Sequence, residues 1–227
     1  SRTKGMPFGA RAARDGSGNF VIGWQDRGAD EAGWKVWLRR IDSGGNPIGA
    51  QIDPSQSSNR CRNLSVAASS PGAFVALWEE WNVTSDRFEL RVRSYAPDGT
   101  PMTDSLPFVI PPSGQADSSP LVACDPNGSC VAAWERQVAG NATAALWLGS
   151  FSLSSPWTLS AYEYRSPAVD FSAVESMVAE DVGDFEFAWE RLSLANESLG
   201  VTGTQLNASA LPIGLEYEIR GPWGETE

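Results

Sequence analysis

Four tryptophans stand at nearly equal intervals, and each closes the same short apolar stretch. The stretch reads Gly18-Asn19-Phe20-Val21-Ile22-Gly23-Trp24, then Gly72-Ala73-Phe74-Val75-Ala76-Leu77-Trp78. It returns as Gly128-Ser129-Cys130-Val131-Ala132-Ala133-Trp134 and as Gly183-Asp184-Phe185-Glu186-Phe187-Ala188-Trp189. The tryptophans are 54, 56 and 55 residues apart, and a glycine precedes each by six residues. A fixed period of this length marks a repeat architecture, in which no unit buries a core alone and neighbouring units bury one together. The 227 residues divide into units at about 6–58, 59–115, 116–167 and 168–222, forming one module.

Each unit reads as four strands. A segment of small apolar residues comes first, as in Ala10-Arg11-Ala12-Ala13 and Leu121-Val122-Ala123-Cys124, and suits the crowded innermost position. A turn follows, rich in Asp, Pro and Gly, where glycine supplies the positive φ of a tight hairpin. The tryptophan stretch is apolar almost throughout, as expected of a strand covered on both faces. A third strand alternates apolar residues with others and ends on Ile41, Tyr95, Phe151 or Leu206, each seventeen residues after its tryptophan. A turn containing Pro47, Pro101, Pro156 or Pro212 leads to a fourth strand, for example Trp157–Tyr162 and Ile213–Ile219, of mixed polarity as an outer edge tolerates. Four-stranded antiparallel units in tandem, with no helical pattern between them, predict an all-β fold, a β-propeller of four blades. Four blades either close a small ring or form part of a larger one.

The pattern Asp-x-x-Gly-x-Phe-Val-x-x-Trp followed by Gly-x-Pro-x-Gly, carried best by Asp15 to Gly49 and nearly as well by Gly72 to Met102, resembles tandem repeats of bacterial secreted and surface proteins. The third unit departs from it with Cys130 in place of Phe, and the fourth with Glu186 in the core strand. The resemblance implies a propeller-like fold and an exported location, and no defined activity.

Seventeen Lys and Arg against 28 Asp and Glu give a net charge of −11, which opposes binding of a phosphate backbone. No apolar window reaches the roughly 18 residues of a membrane helix. Cys124 and Cys130 flank Asp125-Pro126-Asn127-Gly128-Ser129 and are expected to face each other across a hairpin as a disulfide, given an oxidising compartment. Cys61 is left as a buried thiol or an intermolecular partner. Six asparagines, Asn63, Asn82, Asn127, Asn141, Asn196 and Asn207, lie in N-x-S/T sequons; Asn82, Asn141 and Asn196 fall in loops and are the glycosylation candidates.

The absence of histidine excludes Ser-His-Asp and Cys-His catalysis and imidazole metal sites. No metal and no cofactor are expected: the Asp-Gly runs at Asp15 and Asp98 read as hairpin turns rather than calcium loops. Gln25, Glu79, Glu135 and Glu190 follow the core tryptophans Trp24, Trp78, Trp134 and Trp189. A glycosidase needs carboxylates in unlike environments, whereas a glutamate copied from blade to blade reads as structural, paired with Arg136 or Arg191. Trp34 and Trp81, with Arg87, lie in or beside the variable loops between second and third strands. They serve either as exposed anchors for a sugar ring or a protein partner or as packing on their own blade edges. The reading that results is a non-enzymatic extracellular, cell-surface or periplasmic module, a subunit of an assembly with other chains or further copies. A carbohydrate-binding propeller is the alternative, and a glycoside hydrolase using the repeat glutamates the third.

Overall fold

A computed structural model of the chain describes residues 6–27, 33–108, 115–137, 144–153, 160–164, 170–193 and 198–220. They form four antiparallel four-stranded sheets in succession, a propeller-like all-β architecture. The first sheet holds β1 (Met6–Arg14), β2 (Phe20–Arg27), β3 (Trp34–Ile41) and β4 (Pro47–Ile52), in that order. The second holds β5 (Cys61–Ala68), β6 (Phe74–Asn82), β7 (Arg87–Tyr95) and β8 (Leu106–Pro107). The third holds β9 (Ala116–Cys124), β10 (Ser129–Gln137), β11 (Ala144–Ser152) and β12 (Ser160–Tyr164). The fourth holds β13 (Asp170–Asp181), β14 (Asp184–Ser193), β15 (Ser198–Asn207) and β16 (Tyr217–Arg220). The outermost strands are the least regular. β8 is two residues long, β16 begins four residues later than the sequence pattern suggests, and the stretch 154–159, with Trp157, lies outside the described residues.

Alternation along the tryptophan strand decides which neighbour each side chain meets. Val21 in β2, with Val36 and Leu38 in β3, packs against Leu64, Phe74 and Trp78 of the second sheet. One register later, Val75 and Leu77 meet Ala132 and Trp134 of the third sheet, and Val131 and Ala133 meet Phe185 and Trp189 of the fourth. Trp78, Trp134 and Trp189 thus each pack onto the preceding sheet. Gly23 lets the first seam close: a Cβ there would lie 2.5 Å from Leu64 Cδ2. Trp78, Trp134 and Trp189 are 0%, 0% and 1% exposed.

Trp24 differs from the other three core tryptophans. It is only half-buried, and Phe20 on the same face is 37% exposed. The reason is positional: among the described residues no other sheet covers that face of the first, and no comparable seam joins the fourth sheet to the first. The far face of the fourth sheet is mixed, with Glu186 and Gln205 beside the exposed Val178. Glu186, out of pattern in the sequence, points away from the third sheet and accepts a 2.6 Å hydrogen bond from the Tyr217 hydroxyl, whose ring lies over Gly203.

Rows of hydrogen bonds join the sheets at the Asp-Gly turns. The Gly16 N–H donates to the Ser70 carbonyl (3.2 Å) and the Ser70 N–H to the Pro126 carbonyl (3.0 Å). The Gly183 N–H donates to Asp125 Oδ2 (3.0 Å). The Asp carboxylates cap their own turns, as Asp15 Oδ1 does for the N–H groups of Ser17 and Asn19. No group of three or more metal-ligating side chains occurs among the described residues. Cys124 and Cys130 are directly opposite in the β9–β10 ladder and form a disulfide. Cys61 is buried and reduced, and burial, with the nearby Glu80 charge, pushes its thiol up to about 12.

Candidate functional site

At the opposite rim from those turns, each inner strand is interrupted by an irregularity in its pairing. The register of β1 shifts between Phe8 and Arg11, and that of β5 between Arg62 and Ser65. The β9–β10 register shifts between Ala133 and Glu135. An equivalent residue sits in the left-handed region at each shift: Gly9 (φ 61°), Asn63 (φ 51°) and Ser119 (φ 54°). Such bulges free a backbone N–H from the ladder and turn it elsewhere. Here the next partner is the side chain that follows the core tryptophan of the preceding sheet. Gln25 Oε1 accepts the Asn63 N–H at 3.1 Å, and Glu79 Oε1 accepts the Ser119 N–H at 2.8 Å.

Glu79 is fully buried and fully engaged. Besides Ser119 it accepts Arg62 Nε at 2.6 Å and Asn63 Nδ2 at 2.7 Å. With three donors from two sheets closing on it, Glu79 is a brace between the second and third sheets. The arginine expected to pair with the repeat glutamates is placed differently. Arg136 makes a two-pronged bond to buried Asp117, at 2.6 and 2.9 Å, beneath the ring of Trp147. The side chain of Arg191 lies outside the described residues, and Glu135 and Glu190 are half-buried.

These bulges surround a cavity of about 240 Å³ lined by Gly9, Arg11, Gln25, Asn63, Leu64, Ser119, Pro120 and Leu121. It lies where the inner strands of three consecutive sheets come together. Its lining mixes the polar Arg11, Gln25, Asn63 and Ser119 with Leu64, Pro120 and Leu121, and the surface it presents is mostly polar. Gly9 is required for the rim: a Cβ there would stand 2.8 Å from the Gln25 side-chain nitrogen, and its φ is one that side chains disfavour. Of these residues only Gln25 and the Asn63 sequon stood out in the sequence. A usable signal exists, because Gly9, Asn63 and Ser119 each lie sixteen residues before Gln25, Glu79 and Glu135.

None of Trp34, Trp81 and Arg87 lines this cavity. Trp34 packs edge-on against Phe8, with ring centroids 4.3 Å apart. Trp81 meets the edge of Phe88 at 5.2 Å, and the Arg60 guanidinium covers its ring at 4.5 Å. Arg62 in turn covers Phe88 at 3.8 Å. Arg87 donates to the Gln115 carbonyl at 2.7 Å and sits 3.8 Å from Glu89. Burial raises the Glu89 carboxyl, but hydrogen bonds from Asn82 and Ser85 and the charges of Arg91 and Arg87 outweigh it and hold the group below the usual range. The Asn82 nitrogen, the atom that glycosylation would modify, donates to Glu89 at 2.8 Å. Asn141 and Asn196 lie outside the described residues.

No protein-family model matches the chain, and no curated protein matches it. Solved structures do. A glycosyl hydrolase from Bacteroides ovatus superposes with a TM-score of 0.55 at 12% identity, over 97% of this chain and 71% of that one. A thermostable family-43 glycoside hydrolase gives 0.59 at 10% identity, over 97% and 77%. The Penicillium chrysogenum α-L-arabinanase, solved with arabinobiose, gives 0.55 at 14% identity, over 90% and 58%. The chain shares their fold. That overturns the expectation of a non-enzymatic interaction or structural module, because the architecture is one on which carbohydrate-active enzymes are built. The lack of histidine excludes only imidazole chemistry, and repetition of a glutamate does not by itself make it structural. Glycosidic bonds are worked by carboxylates, and histidine is not needed.

Proposed function

We propose that the four sheets are consecutive blades of a propeller ring and that the chain is a carbohydrate-binding protein taking a glycan into the cavity around Gly9, Gln25, Asn63 and Ser119. The observation that carries this reading is the position of the cavity, at the convergence of three inner strands in a fold shared with glycoside hydrolases. Its polar lining offers amide and guanidinium groups to sugar hydroxyls. The Cys124–Cys130 disulfide supports export to an oxidising compartment. No helix among the described residues is long and apolar enough to cross a membrane.

The test is a glycan array followed by titration calorimetry, with Gln25→Ala as the control. Binding that is lost in the variant supports the reading. Binding that survives Gln25→Ala unchanged, or no binding to any glycan, ends it. A second reading, hydrolysis, is favoured by the neighbours' activity and calls for carboxylates other than the braced Glu79. Arabino-oligosaccharides incubated with the protein and resolved by chromatography test it. Cleavage abolished by Glu135→Gln or Glu190→Gln assigns the catalytic groups, and intact oligosaccharides across the panel count against it.

A further inference from the structure

The polar groups of the central cavity are unevenly matched. Two strong acceptors at or behind the lining are taken up by the protein itself: Gln25 Oε1 takes the Asn63 N–H, and both oxygens of Glu79, behind the cavity wall, are taken by Arg62, Asn63 and Ser119. Donors are left over. The Gln25 amide nitrogen lies against Gly9 at the rim, and Arg11 carries five N–H groups of which one makes a long 3.4 Å contact with the Ala10 carbonyl. Arg11 has no carboxylate within salt-bridge distance among the described residues, in a chain with a net charge of −11. Within the site, Arg62 cancels Glu79, so Arg11 leaves one positive charge uncompensated.

We propose that the cavity binds the carboxylate of a uronic acid residue in an acidic glycan, with the Arg11 guanidinium and the Gln25 amide as its donors. The inference rests on the carbohydrate reading above and narrows its ligand class. A planar guanidinium matches a carboxylate with two parallel hydrogen bonds, which a neutral sugar hydroxymethyl group cannot reproduce. Glu79, with all its donors internal, stays behind the cavity wall and does not compete for Arg11.

The experiment compares oligogalacturonate with its fully methyl-esterified form and with a neutral galactose oligomer, by calorimetry on the intact chain. Wild-type protein should prefer the free acid by roughly tenfold or more, the worth of one charge-assisted hydrogen bond. Arg11→Gln should erase that preference, bringing the free acid to the affinity of its methyl ester. Arg11 is exposed, so the variant should keep the wild-type circular dichroism and melting curve. Equal binding of acid, ester and neutral oligomers, or a preference that persists in Arg11→Gln, overturns the uronic acid assignment and leaves the glycan reading standing. No binding of any oligomer removes both.

Discussion

β2 and β6 are the same strand of the same repeat, yet they are buried differently. In β6 every side chain from Phe74 to Glu80 is buried, whereas β2 alternates, with Val21, Gly23 and Gln25 covered and Phe20, Ile22 and Trp24 partly open. Their sequences are almost equally apolar, so local composition is not the cause. Among the described residues, β6 lies between two sheets and β2 has one beside it. The comparison separates what the repeat encodes, a strand able to be buried on two faces, from what position in the row confers.

The largest effect should come from the covered side. Trp78→Ala removes a side chain with no exposure and should cost about 3–5 kcal/mol, the usual range for a buried aromatic, measured by urea denaturation. Asp117→Ala leaves Arg136 charged and buried and should cost about 3 kcal/mol, again by urea midpoint. Its loss should be greater than that of the double change to apolar residues, Asp117→Leu with Arg136→Met, because the penalty lies in the stranded charge. Removing the disulfide as Cys124→Ala with Cys130→Ala closes no large loop in the unfolded chain, and about 2 kcal/mol is expected. Trp24→Ala should be the mildest, about 1 kcal/mol, as a residue with one face in water. A cost for Trp24→Ala equal to that of Trp78→Ala would show that something covers the first sheet in solution and would erase the contrast.

The strand order and hairpins of this fold could be read from the sequence because they depend on local signals. The turn asparagines and glycines, the period-two pattern of Val36 and Leu38, and the spacing of Cys124 and Cys130 all act over a few residues. The cavity could not be read in the same way. It depends on Gly9, Asn63 and Ser119 occupying left-handed backbone at three separate bulges, a geometry that Asn and Ser only permit and that pairing across the sheet selects. Trp34 and Trp81 drew attention because they broke the repeat, but ring packing on Phe8 and Phe88 accounts for them. Arg11 sat unnoticed in a segment read as small and apolar.

Among the described residues, three apolar seams join the four sheets in a row, each sheet coupled mainly to its nearest neighbours. The two middle members are held from both sides and the end members from one. Opening therefore propagates inward from the ends, and amide hydrogen exchange should rank the strands by their place in the row: β6 and β10 slowest, β2 and β14 faster. The central cavity draws its lining from the first three sheets, so its lifetime is set by the end member that supplies Gly9, Arg11 and Gln25. A ligand gripping those three residues would act as a clasp at that end, slowing exchange most in β1 and β2, many ångströms from the disulfide and at the least anchored edge of the molecule.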